Sequence, residues 1–400
     1  MKILMLTPNV PYPPNFGGSV RMFHLLKQLC ARHTVHLCCL NPPDEHGQTG
    51  PLESLCESVT VINRPDAAKR CEQMKSLFSL RSFQYRSHHV PEMARAVRNL
   101  LERHEIDLIL AEFSQMASFD FPPDIPLVID QHNVEFDLIR RMAKQSPWSA
   151  RKVYNLLEAA KFRREELKAL GAASLVTATS KRDADLMESL VPGLQTRIVE
   201  NGVDAEAFRN PGKTPTPNTV VFVGAMHYFP NVDAMHFYMQ RIHPILARKA
   251  PTIRVLFVGG RPSETLRQYE SEQVKVTGFV EDVRPYMHEA SAFIVPLRMG
   301  GGTRFKVVEA LAAGTPVVST SIGSEGIPVE NERELLLADE PEDFANAVVR
   351  VLRTPQLAES LRTNGLDFVK KNFDWRRIGD KLNNALEEAR VPADSDETAA

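Results

Sequence analysis

Phe293-Ile294-Val295-Pro296-Leu297, followed by Gly300-Gly301-Gly302-Thr303-Arg304-Phe305-Lys306-Val307-Val308-Glu309-Ala310-Leu311, is the stretch on which the fold turns. The first five residues form a short apolar run that reads as a buried strand. Val307, Val308, Ala310 and Leu311 recur at helical spacing. A glycine loop that enters a helix presents unpaired N–H groups and the positive helix end to an anion. Arg304 offers a planar fork and Lys306 a point charge, which together can neutralise a diphosphate. Glu309, about one turn in, suits a different task, accepting hydrogen bonds from ribose hydroxyls. The loop reads as a seat for a nucleotide diphosphate; its bland alternative is a solvated helix start with ordinary surface charges.

Outward from that stretch, the same strand-then-helix alternation repeats. Strands are expected at Lys2–Leu6, Thr34–Leu40, Ile106–Leu110, Leu127–Ile129 and Ser174–Thr179, with a helix over Lys181–Leu190. A turn-rich loop, Pro8 to Gly18, follows the first strand, and Val20, Phe23, Leu25, Leu26 and Leu29 then fall at helical spacing. The pattern pauses at Asn201-Gly202-Val203-Asp204 and at the Pro-rich stretch Asn210 to Asn218, the best linker candidate. A second series follows at Val220–Val223, Val255–Val258, Val274–Thr277, Ala292–Val295 and Val317–Ser319. Strands alternating with helices imply parallel βαβ units. The expectation is an α/β chain of two tandem Rossmann-like, doubly wound domains facing across a cleft. The first spans 1–204, a linker 205–218, and the second 219–373. An amphipathic helix over 374–390 and a disordered polar tail over 391–400 close the chain. Open parallel sheets bind ligands beyond the carboxyl ends of their strands, so a two-substrate enzyme is the natural reading.

The composition fits such a fold. With 400 residues, 43% of them hydrophobic and 24% charged, the chain is an ordinary globular protein too long for one core. A formal net charge of −2 gives no signal for nucleic acid. No apolar run approaches the ~18 residues that span a bilayer, and the short N-terminal apolar run meets Pro8 at once, unlike a signal peptide. Cys30, Cys38, Cys39, Cys56 and Cys71 are odd in number and form no Cys-x-x-Cys pair, which fits free thiols in a reducing cytoplasm. Between Arg140 and Lys168, nine basic residues face only Glu158, Glu165 and Glu166. The segment reads either as a solvated helical face or as a surface for anionic lipid headgroups.

Several further stretches carry a resemblance. They are Phe16-Gly17-Gly18; Thr179-Ser180-Lys181-Arg182-Asp183; Val199-Glu200-Asn201-Gly202-Val203-Asp204; Phe222-Val223-Gly224-Ala225-Met226; Val276-Thr277-Gly278-Phe279-Val280; and Glu309 through Val318. In this order and spacing the chain resembles the retaining, nucleotide-sugar-dependent glycosyltransferases of the GT-B fold, glycosyltransferase family 4, over nearly its whole length. The resemblance implies a UDP- or GDP-sugar donor held by the C-terminal domain at Gly224, Gly278, Phe279, Val280, Gly301, Gly302, Thr303, Arg304, Lys306 and Glu309. Glu309 would take the ribose, and Gly17 and Gly18 would approach the diphosphate from the other side. It implies a sugar or lipid-linked sugar acceptor on the N-terminal domain and a C-terminal helix crossing back onto that domain.

Two departures stand out. Members often carry a second Glu where this chain has Gly301, and an Arg and a Lys in the loop that here reads Gly224-Ala225-Met226-His227-Tyr228-Phe229-Pro230-Asn231. Arg304 and Lys306 are expected to take over the phosphate charge, a variant seen in transferases linked to cell-surface polysaccharide. His132, in Asp130-Gln131-His132-Asn133-Val134-Glu135, sits at a strand's carboxyl end, where it can bond a sugar hydroxyl or position the acceptor; the alternative is a helix start capped by Asn133 or Asp130. His132, Arg304 and Lys306 are therefore the candidate catalytic residues. Stabilising the departing diphosphate is the largest lever for this chemistry, and two cations with loop N–H groups need no metal and no further cofactor. A UDP-sugar epimerase of the same fold and a non-catalytic nucleotide-sugar-binding subunit are the rival readings. A cytoplasmic location is expected, with peripheral attachment to the inner face of the plasma membrane through 140–168 as a further expectation.

Overall fold

A computed structural model describes residues 1–14, 16–43, 47–64, 69–145, 148–300 and 304–390. Gly301, Gly302 and Thr303, and the tail expected over 391–400, lie outside the described residues. The chain divides into two compact units, Met1–Glu200 with Trp375–Ala400, and Asn201–Asp374.

In the first unit, seven strands form one sheet: β1 (Lys2–Thr7), β2 (Thr34–Asn41), β3 (Ser58–Asn63), β4 (Leu108–Glu112), β5 (Leu127–Gln131), β6 (Leu175–Ala178) and β7 (Thr196–Ile198). Their order is β3-β2-β1-β4-β5-β6-β7, and every pairing is parallel. Ile3, Leu4, Met5 and Leu6 are wholly buried, as are Leu108 to Ala111. Continuous apolar runs of this kind suit strands covered by helices on both faces. The second unit repeats the plan with β8 (Thr216–Val223), β9 (Arg254–Val258), β10 (Val274–Val276), β11 (Ala290–Val295), β12 (Val317–Ser319) and β13 (Leu336–Leu337). Its order is β10-β9-β8-β11-β12-β13, again all parallel. Both are doubly wound α/β sheets. The strand order reverses between β1 and β4 in one and between β8 and β11 in the other, and such a reversal opens a crevice at the strands' carboxyl ends.

Some expected boundaries shift. The fourth strand runs from Leu108 rather than Ile106, because Ile106 closes a turn onto the His104 carbonyl. The stretch read as linker, 205–218, holds a short helix (Ala205–Phe208) and the start of β8 at Thr216. Asn201 to Asp204 fall in the second unit, where the Val203 N–H donates to the Phe373 carbonyl at 2.7 Å. β3, β7 and β13 are sheet-edge strands absent from the sequence reading.

The helix Trp375–Arg390 belongs to the first unit, against the helix Gly17–Cys30. The Trp375 ring stacks on His24 with centroids 4.8 Å apart. A Cβ on Gly379 would come within 2.5 Å of the Gln28 side chain, so glycine permits this close approach. Arg197 and Glu388, and Arg32 and Asp380, tie the helix at its rim. Cys38, Cys39 and Cys56 are buried free thiols and Cys30 is half-buried, while the side chain of Cys71 lies outside the description. Among the described residues, no helix is long and apolar enough to cross a membrane.

Candidate active-site residues in each domain

In the first domain the reversal between β1 and β4 gathers a buried charged cluster. Glu112 ends β4, Asp130 lies near the end of β5, and His132 follows one residue beyond that strand. The Nε2 of His132 lies 2.7 Å from a Glu112 oxygen and 3.4 Å from an Asp130 oxygen. Both facing atoms accept, so Nε2 carries the proton. Arg21, one turn into the helix Gly17–Cys30, sends a two-pronged bond into Asp130, with both contacts at 2.7 Å, and donates to the Glu200 carbonyl at 2.9 Å. Thr177 on β6 donates to the same carboxylate, and the Thr179 hydroxyl donates to the His132 carbonyl at 3.0 Å. Phe113 holds a positive φ of 66° directly after β4 and lays its ring 3.9 Å from the imidazole. Such a backbone outlier persists only where its surroundings over-determine it.

These neighbours set the proton affinities. Burial disfavours the imidazolium, but the bonds to Asp130 and Glu112 outweigh it and raise His132 above its ordinary value. Burial also works against the Asp130 anion, yet the Arg21 charge and bonds hold it well below the usual carboxylate range. Burial, and then the Asp130 charge, push Glu112 up to about 7. The second Glu112 oxygen is buried without a hydrogen-bond partner. Glu112, Asp130 and His132 could together offer ligand atoms to a metal ion. The Arg21 guanidinium also bonds both Asp130 oxygens. Gly17 and Gly18 open the helix beside this cluster, and a Cβ on Gly18 would lie 3.9 Å from His132 Nδ1. The structure thus brings His132 and Gly18 together. It also adds Glu112 and Arg21, which the sequence reading missed.

In the second domain, Gly224 follows β8, and the helix Phe305–Ala312 follows β11 with Arg304 at its amino-terminal cap. Lys306 donates to the Asn231 side chain at 2.7 Å and lies 4.1 Å over the Phe222 ring. A Cβ on Gly224 would sit 2.7 Å from Asn231 Nδ2 and 2.8 Å from Lys306 Nζ. The glycine thus leaves room for the ammonium beside the backbone. Arg304 is buried against Gly300 (φ 151°), donates to the Ile322 carbonyl at 3.2 Å and pairs with Glu325 at 3.3 Å. Part of its charge is therefore matched within the domain. Glu309 takes no hydrogen bond on its carboxylate from any described residue. Burial raises it to about 7 despite the Lys306 charge. Burial, then repulsion from Arg304, lowers Lys306 to about 7, with Glu309 opposing. An anionic ligand would reverse the second effect. Gly278 (φ 76°), Phe279 and Val280 follow β10, where Gly278 bridges Gly259, the residue that packs on the Gly224 carbonyl. There Phe279 packs on Gly260 with its ring largely exposed, while Val280 is half-buried. The sequence reading missed Asn231 and Glu325.

The comparisons agree with this architecture. A model described as Glycosyltransferase Family 4 matches residues 17–207, and one described as Glycosyl transferases group 1 matches residues 217–354. Together they cover most of the chain, which belongs with these glycosyltransferases. An uncharacterized 44.6 kDa protein in the cps region of Klebsiella pneumoniae is 22% identical, over 94% of this chain and 97% of its own. A GDP-mannose:cellobiosyl-diphosphopolyprenol alpha-mannosyltransferase of Xanthomonas oryzae is 24% identical, over 55% of this chain and 61% of its own. The crystal structure of Anabaena HepE in complex with UDP-glucose superposes with a TM-score of 0.67 at 19% identity, covering 97% of this chain and 100% of that one. Its fold, two Rossmann-like domains of the GT-B type, is the fold of this chain.

Proposed function

We propose that the chain transfers a sugar from a nucleotide-diphosphate sugar to an acceptor hydroxyl with retention of anomeric configuration, in the assembly of a cell-surface polysaccharide or glycoconjugate. The observation that carries this reading is the convergence of Lys306, Asn231 and Gly224 at the amino end of the helix that bears Glu309. A half-buried ammonium whose proton affinity has dropped awaits an anion, and an unbonded carboxylate about one turn away awaits hydroxyls. Lys306 and Arg304 stabilise charge that grows on the departing diphosphate, and Glu309 holds the ribose. Phe279 supplies a flat exposed ring beside the base. His132, held by Glu112 and Asp130, orients the acceptor hydroxyl. The donor is a UDP- or GDP-sugar, and the cations of the chain do the work a metal would otherwise share. The Anabaena neighbour's UDP-glucose and the Xanthomonas relative's polyprenol-linked acceptor support these classes.

The test is incubation of the full chain with a panel of UDP- and GDP-sugars, with and without polyprenyl-diphosphate sugar acceptors. Free nucleoside diphosphate and a product of unchanged anomeric configuration by NMR support the reading. An isomerised sugar nucleotide points to an epimerase, binding without turnover points to a non-catalytic subunit, and either overturns it.

A further inference from the structure

The basic segment 140–168 has an apolar companion that the sequence did not reveal. Residues 74–80 run along the outside of the helix Ala150–Gly171. The Ser76 hydroxyl lies 3.1 Å from the Tyr154 hydroxyl and donates to Glu158 at 3.2 Å, and Arg164 donates to the Leu80 carbonyl at 3.1 Å. This edge shows Phe78 at 90%, Leu80 at 77% and Met74 at 60% exposure, beside Leu77, Val153 and Leu157. Trp148, 80% exposed, stands at the start of the same helix with the Lys152 ammonium 5.9 Å from its ring. Seven of the twelve large apolar side chains exposed among the described residues are gathered here. Singly exposed apolar residues need no explanation, but a contiguous patch does.

The charges around the patch are mainly basic: Glu72 is matched by Lys75 and Arg86, and the acids of the long helix point inward. Glu158 accepts from the Phe83 N–H at 2.6 Å and from Lys161 at 3.0 Å. Glu165 accepts from the Ser82 N–H and hydroxyl, and Glu166 from the N–H groups of Glu135 and Phe136. All three cap helices of the domain, leaving Arg140, Lys144, Arg151, Arg163, Arg164 and Lys168 exposed around the apolar edge. An apolar wedge in a ring of cations is the pattern of interfacial binding, in which aromatic and aliphatic side chains enter the acyl boundary and cations meet anionic headgroups.

We propose that this face, formed by 74–80 with Trp148, Val153 and Leu157, is the surface by which the chain docks on an anionic lipid bilayer. Glu166 on the same helix also accepts from Gln131, the neighbour of His132, so the docked helix is bonded directly to the candidate acceptor loop. The docking does not depend on the transferase reading, and failure of one leaves the other standing.

The test uses the full chain with phosphatidylcholine vesicles and with phosphatidylcholine–phosphatidylglycerol vesicles. Flotation is expected with the anionic vesicles only, weakening with salt. The protein has two tryptophans, and Trp375 is 5% exposed within its domain, so Trp148 reports contact. A blue shift and quenching by brominated lipid are expected on binding. Phe78→Ser with Leu80→Ser, and separately Arg151→Glu with Lys168→Glu, should each lower vesicle affinity about tenfold or more, since each surface cation contributes ~1 kcal/mol. These side chains are exposed, so an unchanged melting temperature is expected. No flotation, equal binding to neutral vesicles, or unaltered binding by both variants overturns the proposal. A wild-type dimer that becomes a monomer in Phe78→Ser with Leu80→Ser also overturns it, by assigning the face to a second copy.

Discussion

The imidazole of His132 and the carboxylate of Glu112 meet at 2.7 Å, while the other ring nitrogen of His132 faces the amino end of the helix that Gly17 opens. The carboxylate fixes Nε2 as a protonated nitrogen, so that in the neutral ring Nδ1 is the acceptor and in the imidazolium both nitrogens donate.

Removing that carboxylate's charge should therefore act through His132. Glu112→Gln is predicted to lower the His132 pKa, because one of the bonds that raise it weakens. It should also lower turnover by roughly tenfold or more, the scale of one charged hydrogen bond. NMR titration of the His132 ring protons provides the check. An unmoved midpoint would mean that Glu112 only fills space.

Arg21 and Asp130 form a pair with no exposure on either side. Truncating one partner leaves a buried charge uncompensated, a loss of ~3–5 kcal/mol. Arg21→Ala is predicted to lower the urea midpoint accordingly. The pair also predicts acid sensitivity. Asp130 has a folded pKa below its unfolded one, so its contribution is complete above about pH 4 and is lost as pH falls toward the folded value. Urea midpoints measured down the acid range should fall less steeply in Asp130→Asn than in the wild type; equal slopes would contradict the assignment.

Gly224 should be intolerant of a side chain for functional reasons before structural ones. A Cβ there meets the side-chain ends of Asn231, which also donates to the Ala225 carbonyl at 3.0 Å, and of Lys306. Gly224→Ala is predicted to displace the ammonium and weaken nucleoside-diphosphate binding roughly tenfold, the scale of a lost charged hydrogen bond, with little change in melting temperature. Calorimetric titration with UDP and GDP decides it. Full affinity in the variant would place the phosphates elsewhere.

Much of this was legible in the sequence. The buried strands β1, β2, β8 and β9 announce themselves as apolar runs, and the Arg304 to Glu309 spacing on a helix start points to a nucleotide. The edge strands were harder. β3, Ser58-Val59-Thr60-Val61-Ile62-Asn63, is half-buried, and β13 has only two residues. Arg21 was readable in retrospect: it shares a helical stripe with Leu25 and Leu29, and a cation on an apolar stripe demands a buried carboxylate. Glu112 closes the apolar run Leu108-Ile109-Leu110-Ala111, where a charge at a strand's carboxyl end marks a site. What no pattern could supply is the pairing itself, since β1, β4 and β5 become neighbours only through sheet order. The inward turn of Glu158, Glu165 and Glu166 is also tertiary, and it converts a mixed-charge segment into a basic face.

The remaining prediction concerns Lys306. Burial, then the Arg304 charge, lowers its pKa to about 7, so above about pH 8 the free protein holds Lys306 largely as the neutral amine. Glu309, raised to about 7, is ionised across that window and contributes no slope of its own. A bound diphosphate restores the charged form of Lys306, so binding must take up a proton there. Affinity for a nucleoside diphosphate is then predicted to fall by up to about tenfold per pH unit across the window, by proton linkage. Calorimetry in buffers of different ionisation enthalpy should register the uptake directly. Lys306→Arg keeps its charge throughout, so its affinity should be lower but level with pH. A level profile in the wild type would show that the ammonium stays charged without ligand, or that the diphosphate does not reach it.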